Sequence, residues 1–414
     1  MSDSRPPALT LPANPNLRHL RDQAKELLRS GSAPSLASAL FQTARLYGFQ
    51  SWPKLKAHVL SLTLAGALKG AIDGDDLPDV RKLLSKHPEL KIAPIGYGGD
   101  GPLTWAAECR GYGQPTKERL ELVEWLISSG CDVHEGGDGP LMRASLSGSR
   151  TSMMALLVSH GADVNAAWHD FFPILYAPCE VIDPTSLSWL LQHGADPDCG
   201  TASRWQRMGK AHPGTALDSL LGTYVRSSDA LNESIKLLQD AGGTSRYDEP
   251  GVLAAIRGDV QIVSDLIHED RSILQKRYPS LDIGTTGGRM LTLKGATLLH
   301  VAAEFGHADV ARLLMDAGAG AGVNETALID ADGIGGQTPI FHAVTQGGDR
   351  GLAVVRLLLE RGADLSVRCR IPGHYERLDE VFEGSALEYA ERFPESGNKA
   401  VALLRHHPNS KDSY

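Results

Sequence analysis

Between residues 295 and 319 the chain carries one complete structural unit. Gly295-Ala-Thr-Leu-Leu-His-Val-Ala-Ala-Glu-Phe-Gly-His307 is a threonine-led turn entering a short, alanine-rich helix. Val310-Ala-Arg-Leu-Leu-Met-Asp-Ala-Gly-Ala319 follows as a second, apolar helix with glycine near its end. A helix pair this small cannot bury its apolar faces by itself, so a chain built of such pairs must stack each on the next.

Variants of the unit recur from Leu64 onward. Inner helices are expected to start at Pro102, Pro140, Pro173, Thr215, Thr297, Thr338 and Ser385, each just before an aliphatic residue and an alanine. Outer helices are expected to end at Gly130, Gly161, Gly194, Gly242, Gly318 and Gly362, where a left-handed residue closes a helix at least cost as glycine. Weaker units occupy Gly66 to Leu84 and Val252 to Ile267. The inner-helix positions Leu103, Leu141, Ile174, Leu217, Leu299, Ile340 and Leu387 recur mostly at more than the roughly 33 residues of the minimal repeat, and the surplus falls in loops.

These motifs resemble the ankyrin repeat, clearly at 295–319 and 336–365. The resemblance implies an all-α solenoid of about eight or nine helix pairs with β-hairpin-like loops on one side, and a product that is a binding surface. It also implies that His300, at the histidine position of the motif, holds adjacent turns together by a hydrogen bond. Residues 1–62 do not follow the repeat. Asn14-Pro15 opens a helix carrying Leu17, Leu20, Ala24, Leu27 and Leu28. Ser35 opens a second, and Ser51-Trp52-Pro53 a third. They are similar to the helical leader of some bacterial ankyrin-repeat proteins and are read as a cap over the first repeat. The solenoid then covers 63–405, with a tail at 406–414.

The net charge of −9 shows none of the one-sided basic surface of a general nucleic-acid binder. Five cysteines, Cys109, Cys131, Cys179, Cys199 and Cys369, are scattered without a C-x-x-C pair, which favours free thiols over disulfides or a zinc site. The apolar stretch from Val59 to Leu68 is too short to span a bilayer. A cytoplasmic monomer without membrane attachment is expected. No metalloprotease, hydrolase, kinase or dinucleotide-binding motif occurs, so neither an enzyme, a cofactor nor a metal is expected. Gly284-Thr-Thr-Gly-Gly-Arg289 lacks the Lys-Ser/Thr ending of a phosphate loop and reads as a β-hairpin.

Candidate partner-binding residues come from two places. One is the face shared by equivalent inner-helix positions, Trp105, Arg143, Tyr176 and His342, with Glu304 and Phe305 at the groove; inter-repeat packing is the competing role. The other is the inserts. Residues 199–213 hold Arg204, Trp205, Arg207 and Lys210, and residues 271–295 hold Arg271, Lys276, Arg277, Arg289 and Lys294 against one acid, Asp282. These make either a shared positive patch or two solvated loops. A third insert, 368–383, should turn at Pro372-Gly373 and pair with itself. Its His374 and Glu376 define no reaction without a third group. Binding of a protein partner through the inner-helix face and loops is the leading function. A small-molecule or catalytic pocket enclosed by the inserts, and self-assembly, are the alternatives.

Overall fold

The computed structural model describes residues 9–12, 15–108, 114–146, 148, 150–200, 214–223, 228–283, 289–318, 322–374, 377–393 and 398–408. The chain divides into two compact units, Met1–Ala144 with Ser152–Asp163, and Ser145–Thr151 with Val164–Tyr414.

The first unit opens with α1 (Leu17–Arg29), α2 (Leu36–Leu46) and α3 (Trp52–Asp73). Asn16, not Asn14, caps α1, accepting from Arg18 N at 2.8 Å, and Ser35 caps α2 through Ser38 N. Leu20, Ala44, Leu55 and Val59 form their shared core. The third helix is longer than expected. It runs unbroken for 22 residues through the boundary placed at 62, because Leu68 and Ile72 continue its buried face. By length and composition alone α3 could cross a membrane, although four of its apolar side chains are buried in protein. It packs on α4 (Leu77–Lys86) and α5 (Pro102–Ala107). The unit continues through α6 (Lys117–Ser128), α7 (Gly139–Ser145) and α8 (Thr151–Ser159), the last residue of α7 and the first of α8 falling to the second unit. Outer helices begin at side-chain caps, Asp76 on Asp79 N and Thr116 on Arg119 N, which satisfy amides that a helix start leaves open. At α5 the cap comes from the next turn. The Glu135 carboxylate accepts from Thr104 N, and burial pushes its pKa up to about 7.

The second unit begins with β1 (Ala167–Trp168) paired antiparallel to β2 (Phe172–Pro173). Pro173 therefore belongs to a strand, and the inner helix predicted there starts later, as α9 (Tyr176–Val181). Then follow α10 (Pro184–Gln192), α11 (Ala216–Gly222), α12 (Ser228–Asp240), α13 (Pro250–Arg257), α14 (Val260–Glu269), α15 (Leu298–Phe305), α16 (Ala308–Ala317), α17 (Pro339–Val344) and α18 (Leu352–Glu360). A hairpin of β3 (Arg368–His374) and β4 (Arg377–Ser385) leads to α19 (Ala386–Ala390) and α20 (Asn398–His406). Inner helices α13, α15, α17 and α19 stack in order, and outer helices α14, α16, α18 and α20 stack beside them. The fold is thus mostly helical, as expected, and among the described residues it carries two small antiparallel sheets.

Gly130, Gly161, Gly194, Gly242 and Gly362 close their helices at positive φ, between 82° and 101°. Gly318 does not; its φ is −91°. Pro372 and Gly373 lie inside β3 instead of forming the turn, at an irregularity in the ladder between Pro372 and His374. A Cβ on Gly373 would stand 2.7 Å from Glu380 Cβ, so glycine there permits a close cross-strand approach.

Candidate functional site

Arg289, Glu304 and His342 were expected at a partner surface, and the structure corrects all three. Their side chains are 3%, 0% and 0% exposed. Arg289 Nη2 donates to Glu304 Oε1 at 2.5 Å and Nη1 to Oε2 at 3.2 Å and to Thr345 Oγ1 at 3.2 Å. His342 Nδ1 lies 2.8 Å from Glu304 Oε2, which places the proton on Nδ1. Burial, partly opposed by Glu304, lowers the His342 pKa, so the ring is neutral. Nε2 is left buried without a hydrogen-bond partner among the described residues. A residue after the inner-helix alanines, Glu304, thus binds the chain's own insert, and the groove at α15 and α17 is occupied from within.

His300 behaves as the repeat motif implies. Its Nδ1 accepts from Thr297 N at 3.2 Å, and Nε2 donates to Gln337 O at 3.0 Å, joining two successive turns. Burial lowers its pKa to about 3.

The Arg289 anchor fixes the strand-like segment that follows it. Tyr278 pairs with Ala296 and closes the base of the insert. Leu328 N donates to Gly295 O at 3.1 Å, and Gln337 Nε2 to Thr292 O at 2.9 Å, tying the insert to the turn before α17. That turn in turn bridges β3 through Gly335 N and Arg370 O at 2.8 Å. Three loops, 278–296, 327–337 and 368–372, therefore meet around one cleft of about 340 Å³. Its walls are mainly apolar, from Pro279, Met290, Leu291, Leu328, Ile329 and Ile334, with Lys294, Asp330 and Arg370 at the rim. Leu328 is 46% and Ile329 63% exposed.

The basic residues of the 271–295 insert do not form an open patch. Arg271 bonds to Ala317 O; Lys276 pairs with Glu249 at 2.7 Å; Arg277 pairs with Glu325 at 2.6 Å and bonds to Thr326 O. Lys294 stands apart, with no hydrogen-bond or ion-pair partner among the described residues. Asp330 is engaged by the backbone N–H groups of Asp332 and Ile334, and Arg370 by Asp332 O.

The other expected site residues lie elsewhere. Trp105 donates to Asp73 Oδ1 at 3.0 Å, with Lys69 Nζ 3.9 Å from its ring centroid. Arg143 pairs with Glu108 at 2.7 Å and stacks on Tyr97. Tyr176 is buried and donates to Gly214 O, a packing role. Phe305 is half-buried. Arg204, Trp205, Arg207 and Lys210 lie outside the described residues, as do 284–288 and Glu376. Sequence reasoning passed over Leu328 and Ile329. Two adjacent aliphatics in extended chain point to opposite faces, so one of them needs a cover, and that signal was available.

Among the described residues no group of His, Cys, Asp and Glu is arranged to hold a metal ion. Burial pushes the Cys131 thiol up to about 11 and the Cys369 thiol to about 12, holding both protonated.

No curated protein matches the chain. Three copies of the ankyrin-repeat family model match residues 235–369, a segment that includes α13 to α18 and most of the cleft. With its threonine-led inner helices, its His300 bridge and this match, the segment 235–369 is an array of ankyrin repeats.

Proposed function

We propose that this protein is a partner-recognition stack of eight or nine ankyrin-type helix pairs that binds on its hairpin side, in the cleft beside Ile329. Ankyrin repeats are in general protein–protein interaction modules. The observation that carries the choice of surface is the adjacent pair Leu328 and Ile329, held 46% and 63% exposed over an apolar cleft. Exposed aliphatics clustered at a concavity mark binding surfaces more often than scattered ones do. The inner-helix groove at α15 and α17 is a poorer choice, since Arg289 already fills it.

Affinity capture from extract of the native cell tests this. Wild type and Trp105→Ala should retain a protein that Leu328→Ser/Ile329→Ser loses. Identical recovery by all three would refute the hairpin-side surface.

A small apolar ligand is the second reading, because two of the enlarged inserts meet at the cleft and its volume is at the lower end of the roughly 300–1,000 Å³ of ligand sites. Native mass spectrometry of protein purified from its own source would reveal such a ligand as an added mass, absent from Ile329→Asp.

A further inference from the structure

We infer that the cleft takes an extended peptide in which a large apolar side chain lies next to a carboxylate, the apolar group seated on Ile329 and the carboxylate on Lys294. The inference rests on the partner-recognition reading above and names the chemistry of the partner. The apolar part follows from the walls, where Met290, Ile329 and Ile334 face one concavity. The acidic part follows from the distribution of charge. The insert carries five basic residues, and Arg271, Lys276, Arg277 and Arg289 each bond within the chain. Lys294 is exposed on the rim without a counter-ion among the described residues. The rim acid Asp330 makes no ion pair with it; its Oδ1 accepts from the N–H groups of Asp332 and Ile334 within its own turn. A partner carboxylate would therefore meet a cation that has no ion pair among the described residues, which steers approach and sets register more than it adds affinity. The cleft is partly open to solvent rather than enclosed, as an extended segment requires.

Random dodecapeptides displayed on phage and selected on the full chain test the inference. Selected peptides should carry a leucine, isoleucine, phenylalanine or tryptophan within two residues of an aspartate or glutamate. By fluorescence anisotropy, Ile329→Ser should weaken a selected peptide by about tenfold or more. Lys294→Glu should weaken it about three- to fivefold at low salt and favour the version with lysine in place of the acid. Both side chains are exposed, so neither substitution threatens the fold. Selected peptides without an acid, or peptides that bind both variants as they bind wild type, would overturn the inference. If no peptide is selected while capture still depends on Leu328 and Ile329, the occupant is a folded surface; this inference then falls and the recognition reading stands. If capture is also insensitive, both fall.

Discussion

Replacing Arg289 by methionine should loosen the insert and the two inner helices it joins. The substitution keeps most of the side-chain volume and removes the guanidinium. Glu304, fully buried, would lose both of its Arg289 hydrogen bonds while His342 Nδ1 stays at 2.8 Å. Breaking a buried pair from one side costs about 3–5 kcal/mol, because the remaining charge is shielded from water and loses its guanidinium counter-ion. Read by native-state hydrogen exchange, that loss corresponds to roughly 10²- to 5 × 10³-fold faster exchange of amides in α15 and α17. A second variant isolates the cause. Arg289→Met/Glu304→Gln removes the stranded charge, and the glutamine oxygen still accepts from His342. It should recover most of the protection, since a buried ion pair replaced by neutral groups is often close to neutral in stability. Exchange in Arg289→Met within a few-fold of wild type would refute the reasoning. So would a double variant no better than the single one.

Glu135 has an ordinary carboxyl value of 4.5 that burial raises to about 7, so the folded chain holds the proton more tightly than the unfolded one. Its contribution is full below pH 4.5 and is lost as pH rises through about 7. Glu135→Gln should therefore gain up to about 3 kcal/mol over wild type at pH 8 and little at pH 4.5, by urea unfolding; a loss at pH 8 would contradict this. His300 has the opposite sign: its pKa falls from 6.5 to about 3, so its contribution is present above pH 6.5 and disappears as pH drops toward 3. His300→Leu should cost about 1–3 kcal/mol at pH 7.5 and progressively less at pH 5 and 4, and a pH-independent cost would exclude the buried neutral ring as the cause. Gly295 has φ +69°, and a Cβ there would lie 2.4 Å from Leu328 Cβ. Gly295→Ala should cost more than about 1–2 kcal/mol and displace Leu328 from the cleft wall, weakening a selected peptide; unchanged melting and binding would refute the close approach.

Local rules made much of this protein legible from its residues. Thr215, Thr297 and Ser385 cap the helices expected after them, and Gly130, Gly161 and Gly362 close helices in the left-handed region as expected. Such features are decided within about one helical turn, by capping groups and allowed φ. Pro173 and Pro372 show the limit. Each was assigned a local role by residue type, as helix opener and turn, and each is in a strand whose pairing depends on a distant partner residue.

The candidate site was the least legible part, because exposure is not a property of a residue type. Arg289, Glu304 and His342 are the charged and aromatic types that suit an interface, and each could have faced solvent. The insert instead folds back so that one arginine meets a carboxylate 15 positions on and a hydroxyl 56 positions on. Leu328 and Ile329, which sequence reasoning would bury, stand at the cleft.

By itself the sequence determined the repeat, the caps and the order of helices, all consequences of short-range periodicity and backbone preference. Only the tertiary structure decided which polar residues are internal and which apolar ones are exposed. Stacking brings insert, turn and hairpin together from residues 278 to 372, and burial in a shared core is set by that meeting and not by any one segment.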